Sequence, residues 1–222
     1  THHDLKLGIA EVLRQLIPAD PTSVAFISLS TTLATNAIAE GKRKSAALFL
    51  IGYDSKLVQT YNFQEQFGTD QYFYVHGRHN LNGVEQISLD ENSLSQIARR
   101  IQGQVDACAV ASYAGPMNSS HEERAGEILA DLTGLPIVQA HHLSSELDSI
   151  RRATTASLNA SLLSNVQEFV EAVQGMAAQF GLRCPIMMIK GDGAMVHTEW
   201  ARKRPVEIIH SGPATSSIGG QF

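Results

Sequence analysis

The feature that most constrains the fold is a regular alternation of short, continuously apolar segments with segments of helical periodicity. The apolar segments are Val24 to Leu29, Ala46 to Ile51, Ala107 to Ala111, Pro136 to Ala140 and Pro185 to Ile189. Because each run is apolar almost throughout, rather than at every second residue, it predicts a strand that is buried on both faces. Such strands alternating with helices predict an α/β fold with a mostly parallel sheet flanked by helices.

The helices are predicted from apolar residues at three- and four-residue spacing. The first two are predicted at Asp4 to Leu16 and at Leu33 to Glu40. Two more begin at Asp90 and at Ser119 or Ser120, and a long helix ends at Phe180. Asp4 and Asp90 are predicted N-caps, and a glycine (Gly41, Gly134 or Gly181) follows three of the helices as a stop signal. Each serine of the pair at 119 and 120 is followed three residues later by a glutamate (Glu122, Glu123), which predicts a capping box.

Residues 53–88 interrupt the alternation. Seven of the fourteen aromatic residues lie between Tyr53 and Tyr74, and Asn82-Gly83 is a hairpin signal. We therefore predict an aromatic-rich excursion from the main sheet, which forms a flap, a hairpin or a subunit contact. The predicted organisation is an N-terminal α/β segment (1–52), this insertion (53–88), an α/β segment with the long helix (89–184) and a final segment (185–222).

Composition narrows the class of protein. With 43% hydrophobic residues the chain is not disordered, and its net charge of −5 with short, scattered basic clusters argues against nucleic acid or membranes as partners. No apolar run reaches the length of a membrane-spanning helix, and we expect no signal peptide. Cys108 and Cys184 are the only cysteines, which excludes a disulfide framework and predicts buried free thiols in the cytoplasm.

The first polar motif follows the strand predicted at Val24 to Leu29. It reads Ser-Thr-Thr-Leu-Ala-Thr-Asn and covers residues 30–36. At the carboxyl end of a parallel strand, hydroxyl groups can cap the next helix or bind an anion. A cap needs one such side chain and this segment has several, so a simple cap and a binding site are both open interpretations.

The second polar motif, Lys190-Gly191-Asp192-Gly193, directly follows the last predicted strand. A carboxylate between two glycines at a strand end is placed to bind a metal or to act on a substrate. An ordinary Asp-Gly turn is the simpler interpretation.

Two further groups have a polar or small-residue character. Ser211-Gly212-Pro213-Ala214 predicts a capped helix whose small residues allow close approach of a ligand or of another helix. Arg151-Arg152, at the start of the long helix, contacts an acidic substrate or lies at a solvated helix end.

The histidines are predicted to be structural. His141 and His142 are adjacent and point opposite ways in an extended segment, so they rarely share one metal ion. His121 has no second histidine four residues on, so it does not form a zincin motif. The common nucleotide-binding loops, the nucleophile elbow and cysteine pairs with metal spacing are all absent from the sequence.

Two segments carry a family resemblance. Residues 30–41, STTLATNAIAEG, resemble a signature of the hydantoinase/oxoprolinase family, usually written G-T-T-x-A-T-N-A, with Ser30 in place of the glycine. Residues 189–219 are similar to its second signature, in which a strand leads to a D/N-G-G-type turn, a helix, R-R-P-V and S-G-P-A. Asn159 and Ala160 fit the long helix between them, so the resemblance covers nearly the whole chain.

The resemblance implies a partial actin-like ATPase (ribonuclease H-like) fold, and a parent enzyme that uses ATP and Mg²⁺ to open a cyclic amide such as a hydantoin or 5-oxoproline. Two glycine-rich hairpins hold the nucleotide in that family, and neither occurs here. We therefore expect an internal piece that lies between them and is inactive by itself. Relatives that are subunits of ketone carboxylases keep a ligase open, and an assembly domain held by residues 53–74 is a third alternative.

Strand-end position and this resemblance together predict the site residues. Catalytic residues are predicted at Asp192, Thr32 and Asn36. Substrate- or phosphate-binding residues are predicted at Thr31, Thr35, Lys190, Gly191, Gly193, Ser211 and Gly212. No metal ligand is assigned. The expected partners are a cyclic amide and either a second copy of the chain or a second hydantoinase subunit.

Overall fold

A computed structural model describes residues 5–219. The helices are α1 (Leu5–Leu16), α2 (Leu33–Ala39), α3 (Ser55–Thr60), α4 (Glu91–Ile101), α5 (Ser120–Thr133), α6 (Ser149–Gln179), α7 (Thr198–Lys203) and α8 (Ser211–Gly219). The strands are β1 (Ile27–Leu29), β2 (Ala46–Ile51), β3 (Tyr72–Val75), β4 (Arg78–His79), β5 (Glu85–Ile87), β6 (Ala107–Ser112), β7 (Ile137–Gln139), β8 (Ile186–Ile189) and β9 (Met195–His197).

The chain forms two compact units. Lys44–Ser161 make up one, which we call the central unit, and residues 5–43 and 162–219 make up the other, which we call the terminal unit. The long helix α6 begins in the central unit and continues into the terminal unit. The four segments predicted above do not coincide with this division, and whether they act as domains stays a prediction.

The central unit is built on a parallel four-stranded sheet in the order β3-β2-β6-β7. Every residue of β2 and β6 is buried, as the continuous apolar runs predicted. Phe49 of β2 and Val110 of β6 pack with Leu94 of α4 and Leu129 of α5 in one core. A mixed α/β fold with a mostly parallel sheet flanked by helices is thereby confirmed.

Residues 53–88 leave this sheet only in part. The hairpin predicted at Asn82-Gly83 is present between β4 and β5, and Gly83 has the positive φ of 77° that such a turn requires. Tyr72–Val75, however, forms the edge strand β3 of the main sheet, parallel to β2. An edge strand has one partner only, so it need not be an aliphatic run, and the Tyr-Phe-Tyr-Val sequence of β3 does not match the pattern of the buried strands.

The terminal unit contains a smaller sheet in the order β1-β8-β9. β1 runs parallel to β8, and β9 returns antiparallel to β8. The prediction that Val24 to Leu29 is a buried strand is wrong, because only Ile27–Leu29 are extended and Ser28 is exposed. Among the described residues β1 pairs with β8 alone, which leaves its other edge uncovered.

Most predicted helix ends are confirmed. Asp90 caps α4 by accepting a hydrogen bond from the N–H of Ser93 at 3.0 Å, and Gly41, Gly134 and Gly181 all have positive φ. The predicted cap at Asp4 lies outside the described residues. Within the described part of the chain, no helix combines the length and the apolar character needed to cross a membrane.

The capping box predicted for α5 is absent. Asn118, not a serine, accepts a hydrogen bond from the N–H of Ser120 at 3.0 Å through its side chain. Ser119 makes no side-chain bond to the helix backbone and donates to the carboxylate of Glu123 instead. Glu122 turns into the protein.

We expect Cys108 to resist alkylation by iodoacetamide in the native protein at pH 8. Burial in the core raises the pKa of its thiol to about 12, so only about one thiol in 10⁴ is ionised at that pH. Mass spectrometry of native and urea-unfolded protein measures this, with the half-buried Cys184 as internal comparison. Equal labelling of Cys108 in both states would contradict the buried position.

Candidate functional site

The two polar motifs that follow β1 and β8 lie at one edge of the terminal sheet. Since these strands are parallel neighbours, their carboxyl ends meet at that edge. Thr31 follows β1 and Lys190 follows β8. The carboxyl ends of parallel strands are where α/β folds bind their ligands, so this edge is the first candidate site.

The first motif is bonded directly to the Ser-Gly-Pro-Ala segment, 180 residues away in sequence. The N–H of Thr31 donates to Oγ of Ser211 at 3.3 Å, and the same hydroxyl donates to the carbonyl oxygen of Thr31 at 2.9 Å. Ser211 is fully buried. One serine side chain therefore fixes the backbone of the first motif to the start of α8.

Two neighbouring contacts reinforce this connection. The N–H of His210 donates to Oγ1 of Thr35 at 3.4 Å. A Cβ built on Gly212 would lie 3.3 Å from Cγ2 of Thr32, so a glycine allows the two segments to approach closely. The structure thus brings together Thr31, Thr32, Thr35, Ser211 and Gly212, five of the residues predicted from the sequence.

Within the first motif the side chains divide into two sets. Thr31 Oγ1 accepts a hydrogen bond from the N–H of Leu33 at 3.0 Å, and Thr35 is bonded to His210. Thr32 and Asn36 are exposed, and the Asn36 amide donates to Thr32 Oγ1 at 3.3 Å. Thr31 and Thr35 therefore hold the backbone, while Thr32 and Asn36 present polar groups to solvent.

The motif at 190–193 forms the turn between β8 and β9. Asp192 accepts a hydrogen bond from the N–H of Ala194 at 2.9 Å and forms an ion pair of 2.9 Å with Lys190. The hydrogen bond from Lys190 is the main cause that lowers the pKa of the Asp192 carboxyl. The Asp192 side chain is 60% exposed, so it is an ionised carboxylate open to solvent and held by its own turn.

This turn is packed against the segment that leads into Ser211. The N–H of Gly191 donates to the carbonyl oxygen of Glu207 at 2.8 Å, and Lys190 Nζ lies 3.6 Å from the Glu207 carboxylate. A Cβ on Gly191 would overlap the carbonyl oxygen of Ile209. Both predicted motifs therefore contact residues 207–212.

We expect Gly191→Ala to destabilise the terminal unit by about 2 kcal/mol. The new methyl group overlaps the carbonyl oxygen of Ile209, which can move only together with the backbone segment that carries it. Gly175→Ala in α6 is the matched control, since nothing lies within 4 Å of its Cβ and alanine favours a helix. Urea unfolding followed by the fluorescence of Trp200, the single tryptophan, measures both. A Gly191→Ala protein as stable as wild type would show that the turn is not packed as described.

A second candidate site lies at the carboxyl edge of the central sheet. The chain leaves β2 for β3 on one side and returns to β6 on the other, so a topological switch point lies between β2 and β6. A cleft of about 360 Å³ opens there, lined among others by Tyr53, Asp54, Arg78 and Tyr113. The Tyr53 hydroxyl donates to the carbonyl oxygen of Ser149 at 2.7 Å, and burial raises the pKa of this phenol.

Behind this edge lies a buried carboxylate that sequence reasoning did not identify. Glu122 has no exposed surface and accepts hydrogen bonds from the N–H groups of Ser112 at 2.7 Å and His141 at 2.9 Å. Nδ1 of His141 lies 2.8 Å from its second oxygen. The structural role predicted for His141 agrees with this geometry, whereas Glu122 itself matched the spacing of a capping box.

Arg152 is the cationic counterpart of this arrangement. Its guanidinium is 1% exposed and donates to the carbonyl oxygens of Ser112, Tyr113 and Glu146. One of the two interpretations of the arginine pair placed both residues at a solvated helix end. That interpretation is wrong for Arg152 and right for Arg151, whose side chain is exposed. Arg152 fixes the backbone that follows β6.

A third polar cluster joins the β4-β5 hairpin to the first turn of α5. Nε2 of His121 lies 2.8 Å from Oε1 of Glu85, and the rings of His79 and His121 are 4.0 Å apart. Burial, together with the neighbouring His121, lowers the pKa of His79. No local spacing could have revealed these three residues, because three separate elements contribute one each.

Comparisons with known proteins agree with one another. Residues 1–133, more than half of the chain, match the family described as "Hydantoinase/oxoprolinase N-terminal region", and residues 152–221 match "Hydantoinase/oxoprolinase". The alpha subunit of a caprolactamase from Pseudomonas jessenii is 26% identical over 148 residues, which cover 66% of this chain and 21% of the relative. An uncharacterised protein from Methanocaldococcus jannaschii is 25% identical over the same length, 22% of its own.

Two solved structures share the fold. The ATP-dependent caprolactamase from Pseudomonas jessenii superimposes with a TM-score of 0.78 and 22% identity, over 96% of this chain and 34% of that chain. A nucleotide-free acetone carboxylase, described under ATP-dependent acetone carboxylation, superimposes with a TM-score of 0.77 and 15% identity, over 97% and 34%. The chain therefore spans about a fifth of the matched curated relatives and a third of the matched solved chains.

Proposed function

The chain belongs to the hydantoinase/oxoprolinase family, and from that premise we propose that it is part of an ATP-dependent enzyme that hydrolyses a cyclic amide. The likeness to a caprolactamase subunit supports the reaction class, because a caprolactam is itself a cyclic amide. Since the chain spans about a fifth of that relative, the activity belongs to the longer parent protein.

The observation that carries the proposal is the junction of the two family signatures in the terminal unit. Ser211 from the second signature is doubly bonded to Thr31 of the first. The turn with Lys190 and Asp192 packs on the same segment, 207–212. Polar residues that are far apart in sequence thus converge at the carboxyl edge of a sheet, where a substrate or phosphate group is expected.

The residues at this junction suit a phosphate-bearing ligand. Hydroxyl and amide groups from Thr32 and Asn36 are exposed, and Lys190 supplies an ammonium group. Asp192 offers a carboxylate oxygen, the ligand type that Mg²⁺ prefers. ATP with Mg²⁺ would supply the phosphoryl group that activates the ring carbonyl, before water attacks.

In this proposal each residue has a defined task. Thr32 and Asn36 bind and orient the substrate or phosphate, while Thr31, Thr35 and Ser211 keep the backbone beneath them in place. Gly191 and Gly212 allow neighbouring segments to approach closely, and Gly193 supplies the positive φ of its turn. Lys190 holds Asp192 in its ionised form, so the carboxylate can make a polar or metal-linked contact at this edge of the terminal sheet.

We expect Asp192→Asn in the full-length enzyme to lower ATP-dependent amide hydrolysis by about 100-fold. The asparagine oxygen can still accept the bond from Ala194, and the lost ion pair with Lys190 is exposed, so the fold should be retained. The assay follows ring opening and ADP release together, with the thermal midpoint of each protein as a check.

Asp131→Asn, an exposed carboxylate on α5, is the matched control and should keep wild-type turnover. Wild-type turnover of the Asp192→Asn enzyme would show that Asp192 only shapes its turn. Loss of turnover accompanied by loss of folding would contradict the expectation that the fold is retained and assign the effect to the structure of the turn.

The carboxylase alternative rests on the fold shared with acetone carboxylase. It is separated from hydrolysis by supplying ¹⁴C-bicarbonate to the full-length protein and following the label. Retention of ¹⁴C in the final product would make the parent a ligase and contradict our proposal, whereas an unlabelled ring-opened amino acid supports it.

We further propose a cytoplasmic location and assembly with a second copy or a second subunit. Two unpaired cysteines fit a reducing compartment.

Tyr61 and Leu57 in the 53–74 segment are exposed, whereas Phe67 in the same segment is fully buried. Size-exclusion chromatography of a Tyr61→Ser variant tests whether this segment holds an assembly together.

A further inference from the structure

We propose that His79, Glu85 and His121 form a binding site for a divalent transition-metal ion. One potential ligand atom from each residue lies within 4.8 Å of those of the other two. Two imidazoles and one carboxylate form a donor set that suits zinc and the neighbouring first-row metals, rather than Mg²⁺ or Ca²⁺. The site lies within the central unit and is separate from the residues of the proposed reaction.

The two strands of a hairpin and one helix position the three ligands. His79 and Glu85 face each other as a pair across the β4-β5 hairpin. His121 is the second residue of α5. The side chains therefore meet because a hairpin packs on a helix, and both anchor points are part of hydrogen-bonded backbone. Such a site is largely formed before any ion arrives.

The side chains of His121 and Glu85 already lie close enough together to bind one ion. Nε2 and Oε1 are 2.8 Å apart, so one proton lies between them. A divalent ion replaces that proton and draws in His79 as the third ligand. Zinc binds nitrogen and oxygen at about 2.0–2.1 Å in a tetrahedron, so two of its ligand atoms lie about 3.3 Å apart. Nε2 of His121 and Oε1 of Glu85 therefore separate slightly, and His79 moves towards them.

The other ring nitrogen of His121 fixes which atom faces the cluster. Nδ1 is buried and has no hydrogen-bond partner among the described residues. A Cβ built on Gly77 would lie 3.2 Å from this nitrogen, so Nδ1 is enclosed by the protein. Nε2, which lies beside Glu85, is therefore the ring nitrogen available to an ion.

The two sides of the cluster differ in access. Both imidazoles are buried, whereas the Glu85 side chain is 50% exposed. An ion can therefore enter past Glu85. Among the described residues three side chains are available as ligands, so a fourth position stays open for water or an exogenous ligand. Three protein ligands with an open position are the arrangement of catalytic, rather than structural, zinc sites.

Isothermal titration of the whole chain with ZnCl₂ tests the proposal. We expect one site in the wild type, loss of that site in His79→Gln and His121→Gln, and a dissociation constant raised at least about 10-fold in Glu85→Gln. His76→Gln is the matched control, because His76 is exposed and lies on the approach to the same hairpin. Substitution with Co²⁺ gives an independent readout through its visible absorption.

All proteins in this experiment carry His2→Gln and His3→Gln, so that this adjacent pair does not contribute. Circular dichroism identifies any variant that fails to fold. If His79→Gln or His121→Gln unfolds, the zinc affinity of Glu85→Gln compared with that of the wild type decides the proposal. Zinc binding with the same affinity in Glu85→Gln and wild type would overturn the proposal, as would the absence of any site in the wild type or its loss in His76→Gln.

Discussion

Glu122→Ala is expected to destabilise the central unit by about 4 kcal/mol, a large part of the stability of a domain of this size. The variant removes the acceptor for two buried N–H groups, those of Ser112 and His141. Each buried donor left without a partner costs about 1–3 kcal/mol, and the His141 ring loses its partner as well. Urea unfolding monitored by circular dichroism measures the difference.

Glu123→Ala is the matched control, because the neighbouring carboxylate is 56% exposed. We expect that variant to stay within about 0.5 kcal/mol of wild type. The stability of Glu122→Gln should lie between those of Glu122→Ala and Glu123→Ala. Its amide oxygen still accepts one hydrogen bond, whereas its NH₂ group faces a backbone N–H group and cannot accept from it. Similar stabilities for Glu122→Ala and Glu123→Ala would mean that Glu122 does not organise the sheet edge.

The sequence predicts the core of the central sheet well, for a physical reason. β2 and β6 have neighbouring strands on both sides and are buried on both faces, so nearly every position must be apolar. β3 and β1 are edge strands that lack this pattern, since β3 reads Tyr-Phe-Tyr-Val and β1 is only half-buried. At such positions the residues need not be apolar, and the pattern that identifies a buried strand weakens.

The junction in the terminal unit could also be anticipated in part. Polar motifs after two apolar runs suggest one shared edge if the strands are parallel neighbours, and β1 and β8 are. The sequence did not predict that Ser211 would bond to Thr31, since that contact depends on where α8 starts in three dimensions. The catalytic and binding roles of these residues stay predictions.

The polar clusters of the central unit could not be predicted, because their signals are not local. Glu122 has the spacing of a capping box and His121 has no second histidine at helical spacing. What decides their roles is which face of α5 meets the sheet and the hairpin. That choice is made by tertiary packing, which also buries the Arg152 guanidinium at the start of α6.

Arg152→Lys is expected to destabilise the central unit by about 3 kcal/mol although the charge is kept. The guanidinium reaches the carbonyl oxygens of Ser112, Tyr113 and Glu146 at once through two of its nitrogens. A lysine ammonium is shorter and has no planar fork, so it satisfies at most part of this set and leaves buried acceptors unpaired. Chemical denaturation of the purified variant gives the value.

Arg151→Lys, at the adjacent and exposed position, is the control and should be nearly neutral, since its ion pair with Glu146 lies in solvent. Arg152 and Glu122 bond to the carbonyl oxygen and the N–H of the same residue, Ser112. Their effects should therefore be less than additive in the double variant, by about 1 kcal/mol, because either loss frees the backbone that both hold. Strict additivity would show that the two charges stabilise the sheet edge independently.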